Sequence, residues 1–271
     1  MSEPQWDPRT VPESPREWLP ALDIPEPARQ RRLTVLVRWL LLIPHFVVLF
    51  LLSVAVVFTA IAGWFSALVL GRLPEPIFRF HAGYTAYYAR VAAASMLLVD
   101  RYPPFTLAQP EAFPVRFEVR PTPLNRLAVL FRVILAIPAA IIESVVTSGW
   151  ATLSVIWWLI TLALGRMPRP LFEATAATLR YHSRLSAYWL LLTPSYPKRF
   201  FGDDPESPNA TAEVAEALNA GRPSATRPLL VSTGGTVLLV LLLVVGLLSA
   251  ISTSSTTTTS SDDVTTVSHS P

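Results

Sequence analysis

The chain has 271 residues, of which 51% are hydrophobic and only 15% are charged, whereas about a quarter are charged in ordinary soluble domains. It contains no cysteine, which excludes disulfides, thiolate metal sites and thiol catalysis. The formal net charge of +3 is too small to indicate a nucleic-acid partner. Together these values favour a membrane protein.

The N-terminal segment, residues 1–28, is polar and contains seven prolines. It has no apolar core of the kind that a signal peptide requires. This composition predicts a disordered, Pro-rich segment on the cytoplasmic side.

The chain contains an internal repeat with an offset of 94 residues. Residues 32–103 align with residues 126–197 without a gap, and 24 of the 72 positions are identical. A Gly-Arg-x-Pro-x-Pro-x-Phe pattern begins at Gly71 and again at Gly165. The predicted units are membrane repeat 1 at 29–105, a cytoplasmic connector at 106–122 and membrane repeat 2 at 123–200.

Each repeat begins with an amphipathic stretch that ends at a proline, Pro44 or Pro138. Its apolar residues recur at helical spacing and arginines flank them, which is typical of a helix lying in the membrane interface. Because proline lacks an N–H and clashes with the preceding turn, the helix should stop or bend there. The predicted interfacial lipid anchors are Arg32, Arg38, Arg126 and Arg132.

A short strand is indicated in the connector, where residues 115–119 alternate apolar and charged side chains. The equivalent residues of the first copy, 21–25, lack this alternation. We therefore base no inference on a strand at that earlier position.

Each repeat continues with a 26-residue apolar run, at 45–70 or 139–164, and then a second helix, at 78–99 or 172–192. The apolar run is long enough to cross a hydrocarbon core of about 30 Å. The second helix is also long enough, but it carries arginine, whose insertion costs about 2.5–3.5 kcal/mol. It either crosses with its arginine turned toward the bundle or lies flat in the interface.

The last apolar run, residues 229–251, has no charged residue and predicts one further transmembrane helix. A polar linker, residues 201–228, precedes it, and residues 211–219 within that linker have the composition of a short helix. A Ser/Thr-rich tail, residues 252–271, follows and should be disordered.

The predicted fold class is an all-α integral membrane protein with two tandem repeats, each an interfacial helix plus a helical hairpin, and one C-terminal transmembrane helix. Lysine and arginine accumulate on the cytoplasmic side of membranes. Their distribution favours about five crossings, a cytoplasmic N-terminus and an extracytoplasmic tail. The alternative has three crossings and flat second helices.

Four polar residues in apolar surroundings are the candidate intramembrane sites: Arg90, Arg184, Glu143 and His45. The two arginines could form a paired site for an anionic lipid or solute, or could simply bind backbone carbonyls. Glu143 could be an ion or proton site or lie near the interface, and His45 could contact a headgroup or act as an interfacial aromatic. No catalytic, metal-binding or cofactor-binding motif is recognisable.

Several motifs resemble the actinobacterial membrane family known as domain of unknown function 4389, whose members often carry the unit twice. The residues are Trp39-Leu40-x-x-Ile43-Pro44-His45-Phe46, Trp64-Phe65, Gly71-Arg72-x-Pro74, Phe78, Arg90-Val91 and Leu97-Leu98-x-Asp100-Arg101-Tyr102-Pro103-Pro104-Phe105. The second copy departs from the pattern at Ala139-Ala140 and at Thr193-Pro194-Ser195. The resemblance implies a bacterial plasma-membrane location and no particular activity.

Three functions remain open at this point. The leading hypothesis is a scaffold or accessory subunit of cell-envelope machinery, without enzymatic activity or cofactor, whose partners are anionic lipid headgroups and other envelope membrane proteins. The alternative is a transporter or channel for a small or lipidic anion, suggested by the duplicated arginines. A lipid-acting membrane enzyme is the third.

Overall fold

The computed structural model describes residues 19–203 and 224–262, with side chains as far as Ser252 in the last helix. The helix predicted at 211–219 lies outside these residues. In chain order the elements are β1 (Ala21–Asp23), α1 (Arg32–Leu70), α2 (Glu75–Ser95), β2 (Arg116–Glu118), α3 (Arg126–Leu130), α4 (Arg132–Leu164), α5 (Arg169–Trp189) and α6 (Thr233–Asp262). The described part of the chain is mainly helical, and the two-repeat layout fits the prediction.

The first helix is continuous through its proline. α1 has 39 residues, about 58 Å at 1.5 Å per residue, and Pro44 lies inside it. The prediction of a separate interfacial helix ending at Pro44 is therefore wrong. One lost backbone hydrogen bond is tolerated because a buried stripe from Val35 to Ala67 packs both halves of α1 against the same neighbours. In repeat 2 the interruption comes earlier, at Phe131, between α3 and α4.

Each long helix ends at a glycine in the left-handed region. Gly71 has φ 69° and Gly165 has φ 66°, and each N–H donates to the carbonyl four residues earlier, Ala67 or Thr161. Glycine takes this conformation without steric cost, so the chain can turn sharply. A proline in the first turn then starts α2 or α5, which gives each repeat its predicted helical hairpin.

The two repeats are related by an approximate twofold axis. Gln30 N–H donates to the Gly165 carbonyl at 2.9 Å, and Leu124 N–H donates to the Gly71 carbonyl at 2.9 Å. The two bonds are equivalent, because Gln30 and Leu124 occupy the same position in the two repeats, and so do Gly71 and Gly165. Each repeat therefore begins beside the hairpin turn of the other repeat, and α1 runs antiparallel to α4.

The antiparallel arrangement excludes five crossings. With five crossings, the Gly71 turn and Leu124 would lie on opposite sides of a hydrocarbon layer about 30 Å thick. Their backbone atoms are instead hydrogen bonded. The five-crossing prediction assumed that each repeat crosses the membrane an even number of times. Both copies would then start on the same side and point in the same direction, whereas α1 and α4 point in opposite directions.

The flat second helices of the three-crossing alternative do not fit the packing of α2 on α1. α2 lies beside α1 along its length, with Thr59 hydrogen bonded to His81 at one end and Arg38 bonded to the Ala94 carbonyl at the other. Two helices packed in this way share one inclination. A membrane cannot be crossed by α1 while α2 lies flat in its interface.

A two-stranded sheet covers one side of the bundle. β1 pairs antiparallel with β2, with Leu22 opposite Phe117, and the strands pack on α2 and α5. Leu22 and Ile24 are buried. Residues 19–28 are therefore ordered, contrary to the prediction for that part of the N-terminal segment, because their apolar side chains cover the central helices. Residues 1–18 of that segment lie outside the described part of the chain.

The last helix packs antiparallel on α4 through two glycines. A Cβ atom added to Gly149 would lie 1.9 Å from the Leu242 carbonyl oxygen, and one added to Gly246 would lie 1.8 Å from that of Val145. The backbones thus approach more closely than any larger residue allows. α6 also continues to Asp262, eleven residues beyond the predicted limit at 251 and into the tail expected to be disordered.

Burial divides the helices into two groups. Three described helices are long and apolar enough to cross a membrane, namely Arg32–Leu70, Arg132–Leu164 and Thr233–Ser252. Large apolar side chains are exposed along all of them, as at Leu33, Phe58 and Val240. In contrast, α5 is buried apart from a few side chains near its ends and on one face. The bundle therefore has an apolar outer layer (α1, α4, α6), a central layer (α2, α5) and the strand pair.

Candidate functional site

The arginine near the start of α1 closes the first hairpin. Arg38 is buried, and its guanidinium donates to the carbonyls of Ala94 and Val99 and to the carboxylate of Asp100. Asp100 also accepts bonds from Thr34 Oγ1 and from a backbone N–H of the same helix start. Carbonyls at the C-terminal end of a helix lack part of their intrahelical partners, and Arg38 binds one in the last turn of α2, that of Ala94, and one in the segment that follows, that of Val99.

The equivalent arginine of repeat 2 makes the same kind of contact. Arg132 donates to the carbonyls of Tyr188 and Thr193 at the end of α5, and its guanidinium lies 4.0 Å from the Tyr188 ring centroid. Arg132 is 3% exposed and Arg38 is 5% exposed. Their prediction as lipid anchors is wrong, because both turn inward to cap the partner helix. Arg32 and Arg126 remain exposed beside the two hairpin turns.

The first candidate site, Arg90, is a buried cation that has no anionic partner in the part of the chain that the structure describes. Its Nη2 donates to the Thr106 carbonyl, while Nε and Nη1 have no acceptor among the described residues. The side chain is fully buried, and the Tyr87 ring lies 5.8 Å from its guanidinium carbon. The positive charge of the Arg90 guanidinium is thus partly compensated by one carbonyl and one aromatic ring.

His45 lies beside this arginine in the same cluster. It is fully buried, its Nδ1 is 2.6 Å from Tyr87 Oη, and its ring stacks on Phe105 with centroids 3.9 Å apart. His45 is therefore enclosed by neighbouring side chains of the protein. Tyr102, Pro103 and the residues after them fold back over α1 and close the cluster from outside.

The second arginine of the predicted pair has a different environment. Arg184 donates to the carbonyls of Pro20 and Lys198. One turn earlier, Arg180 forms a buried ion pair with Asp203, which also accepts the Leu229 N–H. Burial alone would raise the pKa of Asp203, but the Arg180 guanidinium and that N–H together hold it below its ordinary value. The structure does not bring Arg90 and Arg184 into one site.

The comparisons agree with the repeat seen in the fold. A family model described as "Domain of unknown function (DUF4389)" matches residues 32–106 and again residues 126–201, which together exceed half of the chain. The chain belongs to the DUF4389 family. No curated protein and no solved structure matches it.

The second DUF4389 domain contains a hydrogen-bonded row of polar side chains. Glu143 Oε1 lies 2.8 Å from His182 Nδ1, and His182 Nε2 lies 3.3 Å from Ser186 Oγ. The order resembles an acid–base–nucleophile relay. Ser186 lies inside α5, however, where neighbouring backbone N–H groups are bonded within the helix and cannot stabilise an oxyanion. The row therefore does not amount to a hydrolytic site.

This row is specific to the second DUF4389 domain. The residues at the equivalent positions of the first are Leu49, Tyr88 and Ala92. Glu143 is partly buried and binds His182 of the adjacent helix. No cluster of acidic, histidine or cysteine side chains able to hold a metal occurs among the residues that the structure describes.

Sequence reasoning missed the acidic partners of the arginines. Asp100 and Asp203 each follow the second helix of a DUF4389 domain, and each binds a buried arginine. The motif around Asp100 offered a signal, because the family-like pattern places a carboxylate two residues after the Leu97-Leu98 pair. No such signal pointed to Asp203, because the equivalent residue of the first repeat is Gln109, which has no carboxylate.

Proposed function

We propose that this protein is a non-enzymatic scaffold or accessory subunit of cell-envelope machinery in a bacterial plasma membrane. Its apolar layer, α1, α4 and α6, is embedded in lipid, and its strand side meets water and partner proteins. The observation that supports this function is the use of the buried arginines. Arg38, Arg132, Arg180 and Arg184 bind carbonyls and carboxylates of this chain, so they stabilise its framework.

The two faces of the molecule suit such a role. The strand side carries an ion-pair network in which Arg227 binds both Asp23 and Glu118, joining β1, β2 and the start of the segment before α6. Glu111 and Ala112 are exposed nearby in the connector. A rigid polar surface on top of an apolar layer is what a docking platform requires.

Purification in mild detergent after crosslinking, followed by mass spectrometry, tests the scaffold function. We expect envelope proteins to co-purify, and we expect Glu111→Arg with Ala112→Arg to release them. Phe50→Leu, on the exposed apolar face, is the matched control and should retain them. A wild-type protein that is always recovered alone would refute the proposal.

The membrane arrangement that fits best has the long helices lying in the plane of one leaflet. At about 58 Å, α1 greatly exceeds a hydrocarbon core of about 30 Å. In an upright bundle the connector would also pass through lipid, because it returns along α2, where Leu107 contacts Gly83. Exposed Gln109 and Glu111 and irregular backbone would then face hydrocarbon, which is strongly unfavourable.

The arginines at the ends of the bundle support the same arrangement. They occur at both ends, at Arg29, Arg32 and Arg166 and at Arg72 and Arg126. An upright bundle would place one of these groups outside the cell, against the preference for cytoplasmic arginine. Lying in the plane, all of them reach cytoplasmic headgroups. Because α6 packs along α4, this arrangement also places the C-terminal tail on the cytoplasmic side, in place of the extracytoplasmic side predicted from sequence.

Cysteine labelling distinguishes the arrangements, since the chain has no native cysteine. Ala28→Cys and Glu75→Cys mark the two ends of α1, and both positions are exposed. We expect an impermeant maleimide to leave both unlabelled in intact cells and to label both in inverted vesicles. Labelling of Glu75→Cys alone in intact cells would establish an upright α1 and contradict the in-plane arrangement.

Anion transport is the second candidate, and the unpaired Arg90 favours it. An anion passing between α1 and α2 would find two free guanidinium N–H groups there. Arg90→Gln should then abolish anion flux into proteoliposomes at unchanged protein abundance. Arg184→Gln should leave this flux in place, because the Arg184 side chain of the wild type already binds two carbonyls. Flux that survives Arg90→Gln removes this candidate.

A further inference from the structure

A pocket lies at one of the two junctions where a repeat begins beside the turn of the other. It has a volume of about 630 Å³ and is open to the surface. One wall is the chain entering α1, with Arg29 and Arg32, and the other is the turn after α4, with Gly165 and Arg166. No acidic residue is among the described residues that line it.

The three arginines of the pocket are available to a ligand. Arg29 and Arg166 are exposed and form no ion pair within the described part of the chain. Arg32 donates through Nη2 to the Ala163 carbonyl, which fixes its position at the mouth. Three guanidinium groups around one opening, without a carboxylate, are suited to a phosphate group because each can donate paired N–H groups to its oxygens.

The base of the pocket supplies an acceptor. Gln30 lines it, is 8% exposed, and donates through Nε2 to the Leu97 carbonyl, but its amide oxygen has no donor among the described residues. A buried oxygen in this state is stabilised by a hydroxyl that donates to it. The ligand should therefore carry hydroxyl groups as well as a phosphate.

Exposed leucines accompany the arginines of the pocket. Leu164 lines it and Leu33 follows Arg32 in α1, and both are more than half exposed. We propose that the pocket binds the phosphate and hydroxyls of a polyol phospholipid headgroup, with the acyl chains lying along α1 and α4. This inference rests on the proposed embedding of these helices in lipid.

The opposite junction is an internal control. The equivalent residues there are Arg72, Arg126 and Pro123, so proline stands where the first junction has Arg29. Removing Arg72 and Arg126 takes the same number of charges from the protein as removing Arg29 and Arg166. Only the second change alters the pocket.

Native mass spectrometry of the full chain in detergent tests the site with phosphatidylglycerol and phosphatidylcholine as probes. We expect wild type to retain phosphatidylglycerol at least about tenfold better than phosphatidylcholine. The R29Q/R166Q variant should lose this preference and R72Q/R126Q should keep it. R29Q/R166Q leaves the bond from Arg32 to Ala163 in place, and circular dichroism and size exclusion check that it folds.

Equal retention by wild type and R29Q/R166Q overturns the proposal. A third probe, glycerol 3-phosphate, separates lipid from soluble sources of the same chemistry. If it displaces phosphatidylglycerol at submillimolar concentration, the site stands and its ligand is a soluble polyol phosphate. Lipid retention is measured independently of the cysteine labelling and of the co-purification of partner proteins. A negative result for lipid binding is therefore distinguishable from a negative result for the proposed function.

Discussion

Tyr88 and His182 stack on each other with ring centroids 4.6 Å apart, although they occupy the same position in the two repeats. A residue can meet its own equivalent only on the axis that relates the two copies. The approximate twofold axis therefore passes between α2 and α5 at this pair. Paired predictions follow, because a contact in one repeat has a counterpart 94 residues away.

The two tryptophans that join the repeats should contribute equally. Trp64 Nε1 donates to the Val129 carbonyl at 3.0 Å, and Trp158 Nε1 donates to the Val35 carbonyl at 2.9 Å. Trp64→Phe or Trp158→Phe removes this hydrogen bond between the repeats, so each should lower the free energy of unfolding by about 0.5–1.5 kcal/mol. Thermal unfolding in detergent measures this. Trp39→Phe, at an exposed position, should have little effect; a large difference between the two paired variants would contradict the symmetry.

Arg38 should be required for the first hairpin to close. Arg38→Gln removes bonds to the Ala94 and Val99 carbonyls and to Asp100, and hydrogen bonds to charged groups contribute about 1.5–3 kcal/mol each. We expect a loss of at least about 2 kcal/mol and faster proteolysis of the connector. The control is Arg31→Gln, because Arg31 binds Asp100 through its backbone N–H alone among its described contacts. Identical behaviour of the two variants would argue against capping.

The Arg180–Asp203 pair predicts acid sensitivity. Because the pKa of Asp203 is held below its ordinary value, its contribution is complete above about pH 4, the pKa of an unfolded aspartate. That contribution is lost as the pH falls through the lower folded value. Asp203→Asn should cost about 3–5 kcal/mol at pH 7, since it leaves Arg180 buried without its carboxylate.

Unfolding followed from pH 7 to pH 3 measures this effect. The wild type should lose stability toward pH 3, and Asp203→Asn should show a flatter profile. Glu111→Gln removes an exposed carboxylate and should leave the wild-type profile unchanged. A profile for Asp203→Asn as steep as that of wild type would exclude Asp203 as the source.

The α4–α6 contact should depend on its two glycines. Gly149→Ala or Gly246→Ala places a methyl group within 2 Å of a backbone oxygen on the other helix, so the helices must separate. We expect a loss of about 1–3 kcal/mol or more and weaker crosslinking between α4 and α6. Leu247→Ala, beside Gly246 but exposed, is the control. Unchanged crosslinking in the glycine variants would mean that the helices do not approach this closely.

Some of these contacts could be anticipated from local patterns and others could not. The alternation at residues 115–119 predicted β2, because a strand with one buried face has that period. Its partner β1 has no such signal: Leu22 and Ile24 are buried where this segment packs on α5 and on the segment at Thr226, which lies about 200 residues away. The sequence around Gly149 and Gly246 likewise did not predict the close contact between α4 and α6, because such a contact depends on which faces of the two helices meet.

The sequence by itself determined the helices, the 94-residue repeat, the two glycine turns and the family, because hydrophobic periodicity and backbone permissiveness act over a few residues. Only the tertiary structure decided that the copies face in opposite directions and that their arginines point inward. The reason is that a repeated sequence fixes two identical units without fixing the axis between them. That axis depends on contacts such as Leu124 to Gly71, whose partners are more than fifty residues apart.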